Sequence, residues 1–237
     1  MWTTIKGKLQ RTYLHPRHLA QREIERFVRR EGVRLTGRLL DIGCGKKPYI
    51  GLLPNVRQYV GVDVPSTMHG IQKVNVLASV MALPFPEDTF DSLLCTEILE
   101  HTPSPVDGLT EMARVAKPGA CLLLTVPLSE QLHERPHDYC RFTSYWLMHL
   151  LRATGWELVS LVPRGGPWLE IGYRFSSFLY ASLGSTSKND GNLVPRPIAG
   201  PFVIATCAGI QALSSLLDHL WPSDLSTIGY SVVARKQ

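Results

Sequence analysis

Cysteine is scarce and unpaired in this chain: Cys44, Cys95, Cys121, Cys140 and Cys207 lie far apart and form no CxxC. An odd, scattered set points to a reduced, cytoplasmic compartment rather than a disulfide framework. The opening Met1-Trp2-Thr3-Thr4-Ile5-Lys6 lacks the apolar run of a secretory leader, which points the same way. No internal repeat and no long low-complexity stretch occurs, so a repeat architecture is not expected. Charge is modest, at 19% of residues against 44% hydrophobic, a composition that builds a core and excludes wholesale disorder.

What charge there is lies unevenly. Residues 1–40 carry ten Lys/Arg and three Glu, a balance of +7 against +5 for all 237 residues. Such a basic arm suits phosphate on a nucleic acid or at a membrane surface; a solvated helix face is the plainer reading. His18 to Arg30 has helical periodicity, with Leu19, Ile24 and Phe27–Val28 on one side.

Beyond the arm, strands alternate with turns and helices. Strands are expected at Arg38–Ile42, Gln58–Asp63, Lys73–Leu77, Asp91–Thr96, Cys121–Val126 and Trp156–Val162. Helices are expected at Pro105–Ala116 and Ser144–Thr154, with a turn at Lys117-Pro118-Gly119. This alternation predicts an α/β fold with a Rossmann-like, doubly wound, mostly parallel sheet. After residue 163 the pattern changes to about sixty residues rich in Ser, Gly and apolar side chains. The core of Thr227–Lys236 then reads as a final strand. The expected organisation is a basic helical arm over 1–36, a nucleotide-binding core over 37–163, a helical apolar insertion over 164–224, and the last core strand over 225–237.

Asp41-Ile42-Gly43-Cys44-Gly45 falls where a first strand ends and a helix should start. Two glycines let the backbone turn tightly and approach a ligand. Asp63 ends the second strand twenty residues after Gly43, where a carboxylate can accept from both hydroxyls of a ribose. After Gly45 come Lys46-Lys47-Pro48, with no third glycine, and no Tyr-x-x-x-Lys pair occurs. A pyrophosphate cradle is therefore disfavoured, and a ligand with a ribose and an amino-acid end fits better.

Five blocks now stand in order: Leu40 to Gly45, Tyr59 to Asp63, Ala82-Leu83-Pro84-Phe85-Pro86-Glu87-Asp88-Thr89-Phe90-Asp91, Glu97-Ile98-Leu99-Glu100-His101, and Glu111 to Gly119. Together they resemble class I methyltransferases of the type 11, menaquinone-like group. The resemblance implies a seven-stranded methyltransferase fold with an antiparallel last strand, and S-adenosyl-L-methionine as cofactor. It implies that Asp41, Gly43 and Gly45 line the methionine moiety, with Cys44 and Val64 nearby, and that Asp63 holds the ribose. Met81–Ala82 would contact adenine, while Thr96 and Glu97 would border the methyl-transfer site. Two positions depart from the pattern: Ser79 stands where relatives commonly carry an acid, and Ala120 replaces a second glycine.

Methyl transfer needs alignment of nucleophile and methyl and, for hydroxyl or amine acceptors, a proton acceptor. Candidates gather in His133-Glu134-Arg135-Pro136-His137-Asp138-Tyr139-Cys140-Arg141-Phe142-Thr143, which resembles a block found in a bacterial subset of the group. His137 is the expected base, oriented by Asp138 or Glu134, with Tyr139 and Arg141 holding the substrate and His133 alongside. His101 is a second candidate base. The alternative is structural: Asp138 and Arg141 brace the loop and cap the helix at Ser144. A metal site from His133, His137 and Asp138 is disfavoured by the prolines of the loop, so no metal is expected.

No Asn-Pro-Pro-Tyr and no RNA-binding module occurs, so nucleic acid is disfavoured as the acceptor. Small-molecule, glycan or lipid-like acceptors lead, with O-methylation favoured. The rivals are a nucleic-acid methyltransferase using the basic arm and a scaffold that binds the cofactor without turnover. Residues 198–217 carry no charge over a bilayer-spanning length, yet Gly and Pro dilute them. Leu213, Leu216, Leu217, Leu220 and Trp221 make a helical stripe that would pack as a lid over the catalytic face or meet a membrane through 198–221. The localisation expected is thus cytoplasmic, with peripheral attachment at the inner membrane face as the second reading.

Overall fold

The apolar runs become strands that alternate their side chains between two covered faces, as parallel sheets require. A computed structural model describes His15 and residues 18–68, 70–187, 193–195 and 199–237; most of the basic arm before His18 lies outside the described residues. The strands are β1 (Gly37–Ile42), β2 (Val56–Asp63), β3 (Val76–Leu77), β4 (Phe90–Thr96), β5 (Ala116–Pro127), β6 (Trp156–Pro163) and, after a small hairpin β7 (Ser185–Ser187) and β8 (Leu193–Pro195), β9 (Gly229–Lys236). The main sheet runs β3-β2-β1-β4-β5-β9-β6. β1 pairs parallel with β2 and β4, β4 parallel with β5, and β9 antiparallel to β5, as expected for the last strand.

Leu40, Ile42, Leu93, Cys95, Leu122, Leu124, Val126, Val232 and Ala234 point to one face. They pack there with Leu109, Met112 and Val115 of α2 (Pro105–Val115) and with Leu147, Leu150 and Leu151 of α3 (Ser144–Ala153). Leu39, Leu94, Leu123 and Val233 point to the other face, against Ile24, Phe27 and Val28 of α1 (His18–Glu31). Trp156 is the largest fully buried side chain of the first face, and its indole N–H donates to the Leu109 carbonyl at 3.1 Å. Trp156→Ala deletes both the ring and that bond. Urea unfolding should show a loss of about 3–5 kcal/mol; a loss below about 1 kcal/mol would contradict the packing.

Contacts divide the chain into two units. One holds Ile24–Leu128, Leu132–Val162 and Gly229–Gln237; the other holds the chain up to Glu23, Ser129–Gln131 and Pro163–Ile228. Residues 24–36, grouped with the arm by sequence, thus belong to the sheet unit, because Ile24, Phe27, Val28 and Leu35 are core.

Three expectations about elements need correction. No α-helix follows Gly45: only a 3-10 turn, Ile50–Leu52, lies between β1 and β2. Lys47 sits at φ +56° directly before Pro48, and a residue before proline is sterically barred from continuing a helix. The third strand shrinks to Val76–Leu77. The Lys117–Gly119 turn is absorbed into β5 as an irregularity: Phe90 pairs with Ala116, Ser92 already with Cys121, and Gly119 takes φ +79°.

In the second unit, α4 (Pro167–Leu179) and α5 (Ala199–Leu220) realise the helical insertion. Of its stripe, Leu213, Leu216, Leu220 and Trp221 are exposed and Leu217 is half-buried.

Candidate active site

The sheet order reverses between β1 and β4, and in open α/β sheets ligands bind at such a switch, beyond the carboxyl ends of the strands. The Gly43–Gly45 loop sits at that point. Gly43 (φ +71°) and Gly45 (φ +44°) occupy the left-handed region, which glycine enters without steric cost. The amides of Gly43 and Cys44 both donate to the Val62 carbonyl, at 2.9 and 3.0 Å, and fold the loop back onto the end of β2. A Cβ at Gly43 would come 1.9 Å from Ile98 Cδ1, so this glycine also makes room for the segment after β4.

Asp63 is 8% exposed, and its carboxylate organises the loop. Oδ2 accepts from the Gly45 amide at 2.9 Å and Oδ1 from the Val64 amide at 2.8 Å. A carboxylate oxygen has two acceptor sites, so each retains capacity for a hydroxyl. Val64 therefore contributes its backbone rather than its side chain.

Asp41, only 2% exposed, stands beside this pair and accepts from the Tyr59 hydroxyl. Burial pushes its carboxyl up to about 7; the Tyr59 hydrogen bond and the Lys47 charge oppose the rise, and the nearby Asp63 charge adds to it. Burial and then the Asp41 charge push the Tyr59 hydroxyl up, so it stays a donor. The Lys47 ammonium lies over the Tyr59 ring, 4.9 Å from its centre, and donates to Asn75 Oδ1, which also accepts the Gly61 amide at 2.8 Å. A Cβ at Gly61 would meet Cys44 Sγ at 2.6 Å and Lys47 Cε at 2.7 Å. Burial pushes the Cys44 thiol to about 12, so it remains neutral and acts by packing. Tyr59, Gly61 and Asn75 went unrecognised in the sequence as supports; a glycine inside a strand two residues before Asp63 was the available signal.

This donor set fits the implied cofactor. Two carboxylates, a ribose-capable acceptor at the end of β2, and no helix N-terminus behind the loop suit hydroxyls and a cation, and oppose phosphate.

The neighbouring segments divide. Met81 is half-buried and Ala82 exposed, in a turn where Ser79 Oγ accepts the Met81 amide at 3.2 Å. The hydroxyl at the departing position thus shapes the turn. Glu111 and Arg114 exceed an ordinary helix pair: Glu111 accepts the Leu83 amide at 3.0 Å, and Arg114 donates to the Leu83 and Phe85 carbonyls at 2.9 and 2.8 Å. At the end of β4, Thr96 is half-buried and Glu97 holds φ +54°, a strained conformation of the kind that clusters at functional sites.

Two residues on, the 3-10 turn Leu99–His101 carries the proton-handling groups. His101 Nδ1 lies 2.6 Å from the His137 carbonyl, which can only accept, so Nδ1 bears the hydrogen. The lone pair then belongs to Nε2, which faces Glu100 Oε1 at 3.8 Å and Glu134 Oε2 at 4.0 Å. Glu100 is fully buried, and its carbonyl accepts the Tyr139 amide at 2.8 Å. The His133 ring stands edge-on to His101, 4.7 Å away.

The arrangement corrects the assignment of the loop. Asp138 does not orient His137. Its carboxylate takes Arg141 in two bonds of 2.6 and 2.9 Å, the His133 amide at 2.9 Å, and the His133 ring at 3.5 Å. Burial alone would raise its pKa, but Arg141 and the His133 amide outweigh that and hold it at about 2. Arg141 thus ties the loop together, bonding the Cys140 carbonyl at 2.8 Å as well as Asp138. The helix does start at Ser144, but its cap is Thr143, whose hydroxyl accepts the Trp146 amide at 3.3 Å, rather than Asp138 or Arg141. His137 is exposed, with Nδ1 3.1 Å from the Tyr139 hydroxyl. No carboxylate directs its ring in any bond described, while His101 has two beside it. The metal grouping weighed from sequence, His133 with His137 and Asp138, does not form either; among the described residues Glu100, His101 and His133 lie within 4.8 Å of one another.

Comparison with known proteins agrees with this geometry. Residues 40–124 match the family described as methyltransferase domain. An uncharacterized methyltransferase of Mycobacterium tuberculosis is 38% identical over 96 residues, 37% of this chain and 38% of that protein, so the chain spans about two fifths of such relatives. A ubiquinone biosynthesis O-methyltransferase of Burkholderia cenocepacia is 27% identical over 171 residues, 59% of this chain and 72% of that one. A solved SAM-dependent methyltransferase from Archaeoglobus fulgidus superposes with a TM-score of 0.55 at 17% identity, over 90% of this chain and 93% of that one, a likeness of fold.

Proposed function

We propose that this chain, which carries a class I, type 11 methyltransferase domain, transfers a methyl group from S-adenosylmethionine to a hydroxyl of a small or lipid-like acceptor. The observation that supports the proposal is that the Asp41/Asp63 glycine loop and the Leu99–His101 turn both follow the carboxyl ends of parallel strands, with Ile98 packed directly on Gly43. The bound cofactor supplies a methyl activated by positive sulfur. Asp63 would hold the ribose hydroxyls, Asp41 the cationic amino-acid end, and the Gly43–Gly45 backbone would border it.

The chain's own work is to accept the hydroxyl proton. His101 Nε2 offers the lone pair, the His137 carbonyl fixes the ring through Nδ1, and Glu100 and Glu134 stabilise the imidazolium once formed. His133, steadied by Asp138 and Arg141, walls the base. The O-methyltransferase name of the Burkholderia relative supports oxygen as the acceptor atom. The test is transfer of label from methyl-labelled S-adenosylmethionine to a panel of phenols, quinols, glycosides and polyprenyl lipids. Label in none of them, from protein that binds the cofactor, would favour a scaffold instead.

The Asp41 carboxyl predicts a pH effect. Its folded pKa of about 7 lies above the roughly 3.9 of an unfolded chain. The stability it contributes is thus complete below about pH 4 and lost as pH rises through about 7. A cation bound beside it favours the carboxylate, so binding expels a proton. S-adenosylmethionine affinity should climb from pH 5.5 to about 7 and then level. Calorimetry in buffers of different ionisation enthalpy should register the released proton, and Asp41→Asn should abolish it. Proton release unchanged in that variant would refute the assignment.

A further inference from the structure

The α4–α5 hairpin is built inside out. The helices run antiparallel: Gly172 meets Ser214, Ser176 meets Cys207, and Gly184, five residues past the end of α4, meets Val203. Their shared face is small and polar. A Cβ on Gly172 would lie 2.0 Å from Ser214 Oγ, Ser176 Oγ donates to the Cys207 carbonyl at 3.4 Å, and Cys207 Sγ donates back to the Ser176 carbonyl at 3.3 Å. Gln211 is fully buried on the same side of α5. Most of the large apolar groups are outside: Trp168, Ile171, Phe175 and Phe178 on α4, and Phe202, Leu213, Leu216 and Leu220 on α5, followed by Trp221, while Leu169 and Tyr173 of α4 are buried with Leu19, Ala20 and Ile228.

A hairpin stabilised by water would bury leucines and show its serines. Helices that pack through Gly and Ser, with leucine and phenylalanine outward, follow the rule that holds when the surroundings are themselves apolar. α5 carries no Asp, Glu, Lys or Arg before Asp218, and only 22% of its most apolar stretch is buried, unlike a core helix. The stripes recur at helical spacing and cover one side of each helix, not its whole circumference. That pattern belongs to a hairpin lying in an interface rather than crossing it. Asp218, which accepts the Gly166 amide at 3.0 Å, and the two tryptophans mark the end that stays near water. Arg174 is exposed at the border of the α4 stripe, one turn from Ile171 and Phe178, where its guanidinium can meet a lipid phosphate.

We propose that the α4–α5 hairpin seats this protein on a lipid bilayer bearing anionic headgroups, with the Ile171/Phe175/Phe178 and Phe202/Leu213/Leu216/Leu220 stripes in the acyl boundary and Arg174 at phosphate level. Arg174 and the positive balance of the chain, +5 overall and carried by residues 1–40 at +7, favour the anionic surface. This inference does not depend on the methyl-transfer reading.

The experiment is flotation of the purified full chain with phosphatidylcholine vesicles and with 3:1 phosphatidylcholine:phosphatidylglycerol vesicles. The wild type is expected to float with the mixed vesicles and at least tenfold less with phosphatidylcholine alone. L213D/L216D, altered only at exposed positions, should keep the wild-type melting temperature and lose at least tenfold in mixed-vesicle binding; Arg174→Glu should lose several-fold. Equal flotation with both vesicle types would overturn the anionic selection. Undiminished binding by L213D/L216D would overturn the assignment of the stripe. A wild type that ignores both vesicles while sedimenting as a dimer that L213D/L216D dissolves would assign the stripe to a second copy, and failure to float as a monomer would likewise overturn the bilayer.

Discussion

Replacing Asp63 with alanine is expected to weaken S-adenosylmethionine binding by at least about a hundredfold. The carboxylate would accept two ribose hydroxyls, and hydrogen bonds to a charged group contribute about 1.5–3 kcal/mol each. Its removal also strips the Gly45 amide of its acceptor, so the loop loses one of its tethers to β2. Asp63→Asn separates these roles. The amide oxygen can still accept one backbone N–H, yet the –NH2 cannot accept a hydroxyl, so Asn should preserve the melting temperature and still lose most affinity. Calorimetric titration of both variants checks this, and wild-type affinity in Asp63→Ala would remove Asp63 from the cofactor site.

The second large effect falls on His101. His101→Ala should lower kcat by about a hundred- to ten-thousandfold, the usual worth of a positioned base, while leaving cofactor affinity within about twofold. His137→Ala should cost less than about tenfold, because His137 serves His101 through its backbone carbonyl, which alanine retains. Asp138→Asn should fall between, acting through His133 and the loop. The comparison is made with any acceptor found by label transfer. Equal, large losses in His137→Ala and small ones in His101→Ala would restore the exposed histidine as the base.

That contrast shows what the sequence could and could not convey. Strands and helices were legible because burial on both sheet faces writes continuous apolar runs, and caps and glycines punctuate them. Gly43, Gly45 and Asp63 were legible because their spacing follows from the strand–turn–strand geometry. The partners of Asp41 were not: Tyr59 reaches it across a strand pair, and Asn75 reaches Lys47 from another loop. In the loop after β5, neighbours in sequence suggested a His137–Asp138 pair. The chain instead turns so that Asp138 closes on His133 and Arg141, and His101 takes the loop's carbonyl. Helical periodicity located the stripe on α5, but periodicity alone cannot say which face a helix turns to its neighbour. Here the small face turned inward, because Gly172 and Ser214 approach more closely than leucine permits.

The central claim is that the glycine loop with its two carboxylates is a site for S-adenosylmethionine. Calorimetric titration of the purified chain with S-adenosylmethionine and with S-adenosylhomocysteine tests it most directly. The account predicts one-to-one binding of both, in the micromolar range or tighter, lost together in Asp63→Ala. Absence of binding by either ligand would leave the fold intact and contradict the function proposed for it.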